Sequence, residues 1–448
     1  ISVRGLSPDF ATTLLNGREV VSTGDNRGVE FDQYPSELVN GVTVYKTPDA
    51  ALVGQGLSGT IDMQTARPLS FGERVIAVSG RYQKSSLGRA ANTDPYGNRF
   101  SASYIDQFLD KTLGIAIGYA HSDMPIQENQ VGLYEPWTTE HTDKGDRPGV
   151  GAGTYFSDGI KALRRTGNNK RDGVMATIQF RPNNSWTSTF DAFHTEAEQI
   201  DTANQFELNL SNYNGNYTPG LLVSNPQVNA NGSFTGGTAS GVYPLVRGMY
   251  NKRKDKIDAF GWNNEFNFSG VKLVADLNYS KATRDELNLE NNLQLTPMPQ
   301  LDTVGVTIRQ DGFSQISPGL NYSNPDALFL TNTIYGSGYG KVPKVEDRLK
   351  GGKLAATIAL PDALASWAPD IDIGVNYADR RKVKTQSEGN ILLGAQGDAN
   401  IASDLQYRPV NLGFAGLGTI PAWNVPAAVG RYMTFNPVDN LDYLIPKS

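Results

Sequence analysis

Side chains able to do chemistry are few in this 448-residue sequence, and their spacing points to recognition and away from covalent catalysis. There is no cysteine, which removes thiolate nucleophiles, thiolate metal sites and disulfides together. The three histidines, His121, His141 and His194, are too scattered for an imidazole metal cluster. No G-x-S-x-G, H-E-x-x-H or phosphate-loop pattern occurs, and Glu196 and Glu198 stand at strand or loop spacing, not as a glycosidase pair. Asp143-Lys144-Gly145-Asp146 lacks the ligand spacing of a calcium loop. Two stretches carry binding chemistry instead. Gly24-Asp25-Asn26-Arg27-Gly28 is a polar, turn-prone tip between two strand-like runs, where Thr23, Asp25, Asn26 and Arg27 offer hydrogen bonds to a polar ligand; a solvated turn is the equal alternative. Tyr134-Glu135-Pro136-Trp137 sets an indole beside a phenol and a carboxylate, the combination that meets a sugar ring by stacking plus hydrogen bonding, although a loop burying its own anchor is the commoner use of such aromatics. The basic run Lys161-Ala162-Leu163-Arg164-Arg165, followed by Lys170-Arg171, suits an anionic ligand or surface phosphates, with a solvated face as the ordinary reading.

The elements that position these residues are strands. Lys+Arg 40 against Asp+Glu 46 leaves a net charge of −6, which argues against a nucleic-acid partner. No apolar run reaches the roughly 18 residues of a spanning helix, and 47 glycines with 20 tyrosines and 18 phenylalanines suit β-structure. After Ser70, segments of period-two alternation recur near 74–82, 99–106, 112–120, 173–181, 186–195, 256–268, 271–281, 347–360 and 370–380. In the clearest, Leu113, Ile115, Ile117 and Tyr119 alternate with Gly114, Ala116, Gly118 and Ala120. A soluble sandwich alternates in the same way, so the connections decide. Short ones, around 107–111, 182–185, 269–270 and 361–369, alternate with long ones around 83–98, 121–172, 196–255, 282–346 and 381–448. Tight turns at one end and long loops at the other are the mark of an outer-membrane barrel. Tyr82, Phe100, Tyr119, Tyr279 and Tyr377 then share one level on the apolar face, the girdle expected at a membrane–water interface. The predicted fold is all-β: a transmembrane antiparallel barrel whose nine strands need further strands beyond Ser448 to close, because an open edge in lipid leaves backbone groups unpaired. Ile1 opens inside an alternating apolar segment without an initiator Met, and Ser448 ends a polar stretch, so the chain reads as an interior piece of a longer protein.

Residues 1–70 break this rhythm, and here the sequence resembles the plug of the TonB-dependent outer-membrane receptors. Ile1-Ser2-Val3-Arg4-Gly5 is similar to the family's I-R-G strand, and Leu14-Leu15-Asn16-Gly17-Arg18 to its L-L-D-G turn, with Asn16 for Asp. Pro35-Ser36-Glu37-Leu38-Val39 with Val42-Thr43-Val44-Tyr45-Lys46 resembles the P-…-I-E-V-…-G segment, and 54–63 the Y-G-…-G-G-V-I-N-I segment. Departures fall at Lys46-Thr47-Pro48 and at Ser58, and both match the subgroup with very long loops. Without the family, Asn16-Gly17 is in any case a hairpin turn signal, since both residues tolerate positive φ.

The resemblance implies 1–70 as the C-terminal part of a plug and 71–448 as the first part of a barrel of twenty-two strands. It implies active, TonB-dependent import of a large or scarce ligand bound by extracellular loops and the plug apex, the tip at 24–28 being one apex. The partners implied are the TonB–ExbB–ExbD energising complex, a small-molecule or oligosaccharide ligand, outer-membrane lipid and, in the long-loop subgroup, a surface lipoprotein; no cofactor or covalent step is implied. Aromatic, weakly charged loops favour an oligosaccharide, with ferric siderophore or cobalamin as the family's other cargoes. The rival readings are a passive porin or adhesion barrel without a plug, and a secreted β-rich carbohydrate-binding protein.

Overall fold

A computed structural model describes residues 3–24, 28–31, 34, 36–47, 49–53, 56–134, 137–139, 147–211, 218–295, 300–331, 337–365 and 368–435. Near the N-terminus four short strands, β1 (Ala11–Leu15), β2 (Arg18–Glu19), β3 (Gly41–Tyr45) and β4 (Gly59–Gln64), form one sheet in the order β2-β1-β4-β3. β1 and β2 close through Asn16 and Gly17 at φ +53° and +76°, the two-residue turn the sequence called for. The Asn16 amide and carbonyl then tie the turn to Thr65, and the Gly17 N–H donates to the Asp62 carboxylate at 3.0 Å.

All nine expected wall strands are present: β5 (Val75–Lys84), β6 (Tyr96–Phe108), β7 (Leu113–Leu133), β8 (Gly159–Asn183) and β9 (Trp186–Asn209), then, past a loop hairpin of β10 (Leu222–Val228) and β11 (Phe234–Val242), β12 (Leu245–Phe268) and β13 (Val271–Leu295). β14 (Asp302–Thr307), β15 (Gln315–Pro318) and β16 (Leu328–Leu330) belong to the next loop, and β17 (Gly338–Ala359) and β18 (Asp370–Leu393) complete the series. β19 (Val410–Asn411), β20 (Thr419–Ile420), the helix Val425–Tyr432 and β21 (Met433–Phe435) follow after β18. The wall strands pair antiparallel in chain order from β5 to β18, and among the described residues the sheet is open. No described helix is long and apolar enough to cross a membrane.

The alternation assigns the faces as the sequence did. Ile117 is 49 % exposed while Ala116 and Ala120 beside it are buried, and Ile178, Leu277, Leu354 and Val375 extend the same apolar outer face. Tyr82, Phe100, Tyr279 and Tyr377 are exposed at its upper rim, with Phe100 and Tyr119 at 6.5 Å between ring centres. A second girdle, unread in the sequence, marks the turn end: Trp186 meets Phe180 edge-on at 5.7 Å and stacks on Phe266 at 6.3 Å.

The strands are much longer than expected. β7, β8, β9, β12, β13, β17 and β18 run 21 to 25 residues, well past the upper girdle, so the long loops shrink to 134–158, 210–244 and 296–337 with a last one after Leu393. The register between β12 and β13 is unbroken across this extension. Residues of lipid-face parity there, including Ile160, Phe206, Leu208, Val246, Leu289, Leu293 and Ile391, are buried under the returning loops in one apolar core with Phe156, Phe234 and Trp423. Above the membrane an apolar outer face would meet water, and folding the loops back over it removes that area from solvent. The extended inner face stays polar and is left to line the lumen.

Candidate functional site

The plug sheet packs on the inner face of the wall. Leu15, Val20, Val21, Tyr34, Leu38 and Met63 bury themselves against the inward-pointing Ala120, Met175, Phe193, Ile257, Ala282 and Leu349, and the Tyr34 and Phe193 rings stack at 5.2 Å. Three ion clusters fasten this seam. Arg18, straight after the plug turn, grips both carboxylate oxygens of Asp276 at 2.8–3.1 Å and reaches Asp191 at 2.7 Å, which also accepts from Arg67 at 2.6 Å. Gly261 makes room for it: a Cβ there would sit 2.2 Å from the guanidinium carbon of Arg18. The other two clusters reverse the polarity. Arg380 of the wall bridges Asp347 and the plug's Glu19 at 2.6–3.0 Å, and Arg284 bridges Asp255 and the plug's Glu30 at 2.5–3.2 Å. A cavity of about 30 Å³ beside Arg18 has room for no more than a water or two.

Higher up the lumen is a larger space. Four residues beyond Arg284 along β13, about 14 Å at strand rise, a cavity of about 510 Å³ is lined by Arg165, Asp201, Asn251, Glu290, Tyr339 and Lys341, with Met249 and Asn288. Asp201 organises its floor, since its carboxylate accepts from Arg165 at 2.7 Å, Gln199 at 2.8 Å and Asn251 at 3.0 Å and is itself 2 % exposed. A pre-paired floor of this kind presents fixed donors and acceptors to a ligand without reorganising. Two cationic and two anionic side chains face the space, so the lining is polar without a net sign.

The residues singled out in the sequence fall in different places. Thr23 is fully buried and its hydroxyl donates to Glu30 at 3.4 Å, so it braces the seam and does not face upward as expected. Asp25, Asn26 and Arg27 lie outside the described residues, as do Glu135, Pro136 and His141. Tyr134 is half-buried at the top of β7, with the Lys161 ammonium 5.1 Å above its ring, and Trp137 is half-buried three residues on. Strand alternation splits the basic run: Arg165 turns inward to Asp201, whereas Arg164 is 3 % exposed on the other face and donates to Asn129 and the Leu87 carbonyl at 3.2 Å. The run is therefore mixed: Arg164 is buried, Arg165 half-buried against Asp201, and Lys170 exposed. His121 pairs with Asp172 at 2.8 Å and His194 with Asp258 at 2.7 Å, both on the outer face. Sequence reasoning missed Asp201, Asn251 and Tyr339, whose only signal is inward parity on strands longer than the pattern was followed.

Residues 1–61 match the model of the TonB-dependent Receptor Plug Domain family. Residues 1–61 are thus similar to the plug of the TonB-dependent receptors. A plug of this kind, seated against an antiparallel wall, supports an outer-membrane location and TonB-dependent transport in general. No curated protein matches. Among solved structures, a variant of the ferric enterobactin receptor PfeA from Pseudomonas aeruginosa is 10 % identical, with 90 % of this chain and 72 % of that chain covered at a TM-score of 0.29. The siderophore receptor PiuA from Acinetobacter baumannii is 9 % identical over 89 % and 75 % of the two chains at 0.26, and PirA from Pseudomonas aeruginosa is 12 % identical over 91 % and 77 % at 0.25. At such scores these likenesses add nothing to the assignment, which rests on the plug match and on a plug seated against a barrel wall.

Proposed function

We propose that this receptor imports a neutral, polar ligand of the oligosaccharide class, captured in the space above the plug and released when the TonB–ExbB–ExbD complex unseats it. In this reading residues 1–70 are the C-terminal part of the plug and 71–448 the N-terminal part of the barrel wall. The carrying observation is the cancelled charge of the vestibule: Arg165 and Lys341 are balanced by Asp201 and Glu290, beside the ring of Tyr339. A site for a highly charged chelate would hold an excess of one sign, whereas hydroxyl-rich rings are met by fixed donors, acceptors and an aromatic face. Its volume of about 510 Å³ suits a small saccharide. Tyr134 and Trp137 supply a first aromatic contact on the way in, Asp25, Asn26 and Arg27 contact from the plug apex, and a surface lipoprotein is the natural partner for handing over a chain too long for the vestibule. The test is equilibrium binding to the purified receptor of a maltooligosaccharide and of a ferric catecholate. Saturable binding of the neutral sugar, weakened about tenfold by Tyr339→Ala, is expected. Binding of the catecholate alone would transfer the assignment to ferric siderophores.

A further inference from the structure

A second cavity, of about 350 Å³, lies on the opposite side of the wall. Its lining takes Tyr82 from β5, Tyr96 and Asn98 from β6, Asp123 from β7, Thr166 and Asn168 from β8 and Thr202 from β9, with the loop 92–94 folded across. Cross-strand register puts these side chains on the lipid-facing parity: Tyr82 opposes Asn98, which opposes Asp123, just as Phe100 opposes His121. The cavity therefore begins where the apolar belt ends. On β5 the belt residues Ile76 and Val78 are 66 % and 68 % exposed, and Tyr82 at the mouth of the cavity, about 14 Å beyond Val78, is 71 % exposed.

The chemistry of the lining is that of a sugar site. Tyr82 and Tyr96 stack at 5.9 Å and offer a ring-sized apolar face. Behind them is a wall of amide, hydroxyl and carboxylate groups with spare capacity. Thr166 is 1 % exposed, yet its hydroxyl has no partner, and the side-chain carbonyl of Asn168 is likewise unmatched although its amide donates to Asp123 at 2.5 Å. A buried polar atom left without a partner is destabilising unless a bound group satisfies it. The carboxylates are already neutralised, Asp94 by Arg89 at 2.7 Å, Asp123 by Lys170 at 3.6 Å and Asp201 by Arg165 at 2.7 Å, and the Lys84 ammonium beside the platform lies 5.7 Å over the Tyr96 ring, so the lining itself holds no cation for a phosphate.

We propose that this cavity binds a pyranose ring of an outer-leaflet glycolipid, with Tyr82 and Tyr96 as the platform and Thr166 and Asn168 as hydrogen-bonding partners. The lipid source follows from position: a molecule whose acyl chains lie along Ile76 and Val78 delivers its headgroup at this height. The site opens on the opposite face of the wall from the vestibule, with Asp201 lining both, and the proposal does not depend on what is imported.

The test uses the full receptor in a sugar-free zwitterionic detergent, titrated with lipopolysaccharide, with free glucosamine and inorganic phosphate as competitors. Saturable binding is expected, displaced by glucosamine at high concentration and not by phosphate, and weakened roughly tenfold by Tyr82→Ala and by Thr166→Val. Thr166→Val keeps shape and volume, so it carries the test if Tyr82→Ala fails to assemble. Unchanged binding by a folded Thr166→Val variant, displacement by phosphate alone, or free glucosamine binding as tightly as the lipid would each overturn the proposal.

Discussion

Glu30 and Arg284 meet across the plug–wall seam, and the proton on Glu30 reports whether they are joined. Burial raises the carboxyl, but the hydrogen bond and charge of Arg284 outweigh it, so the net shift is below the ordinary value of 4.5. A carboxylate with a lowered folded pKa adds stability that is complete above its unfolded pKa and is lost as pH falls through the folded one. The plug contact should therefore hold at neutral pH and weaken only below about pH 4.5, by an amount on the order of 1 kcal/mol because a third of the Glu30 side chain is exposed. Thermal melting against pH checks this: Glu30→Gln should melt lower than the parent at pH 7 and converge with it near pH 3. A constant gap across that range would place the effect outside this ion pair. Legibility at this scale is uneven. The Asn16-Gly17 turn is readable because positive φ is a property of residue type, whereas Thr23 reads as an exposed donor and is buried, in a segment whose neighbours Ser22 and Glu30 are held by Asp347 and Arg284, more than 250 positions away in sequence.

Strand length is where the sequence pattern and the structure part. The nine segments stand out through residues whose two faces differ sharply, apolar toward lipid and small or polar toward the plug. Past the upper girdle the contrast fades, because outward residues such as Thr202, Asn204 and Asn291 are polar although they share parity with Phe206 and Leu293. Leu287, Leu289, Leu293 and Leu295 still alternate, and that spacing by itself carries β13 to its full length. What no local pattern supplies is the cover. Trp423, with no exposed surface, sits over Gly248 of β12 and donates its indole N–H to Asn291 of β13 at 3.0 Å. A Cβ on Gly248 would lie 2.4 Å from the Trp423 ring. Gly248→Val therefore should lift the last loop from the strand extension at a cost of about 1–3 kcal/mol while leaving the membrane-spanning part assembled. Limited proteolysis should then cut within 394–432 in the variant and not in the parent, at equal membrane yield. Equal resistance of the two would mean that this loop is held elsewhere.

For the molecule as a whole, the distribution of charge across the seam separates a transporter from a pore. Arg18 sits on two wall carboxylates, and Glu19 and Glu30 sit on two wall arginines, so the plug is held by pairs of both polarities around an apolar contact. Paired charges at a partly buried seam are strong while seated and are solvated once separated, which lets a seat be tight at rest and yet reversible under an applied force. A uniformly apolar seam would have no such compensation for the surfaces it exposes. The family match assigns residues 1–61 to the plug, and the wall strands begin at Val75, so deleting 1–70 removes the seat's movable half and leaves the spanning strands intact. In planar bilayers the full receptor should be closed, and the deletion should open a large, ohmic conductance, because the inner face it uncovers carries Asp191, Asp276, Asp347, Arg284 and Arg380 and will hold water. The same deletion should abolish energised uptake while leaving ligand capture in the vestibule, whose cavity lining lies on the wall and not on the plug apex, within about tenfold. An unchanged conductance would remove the plug from its gating role and favour a passive barrel. Lost capture together with an open pore would mean that the plug apex, and not the wall, supplies most of the binding.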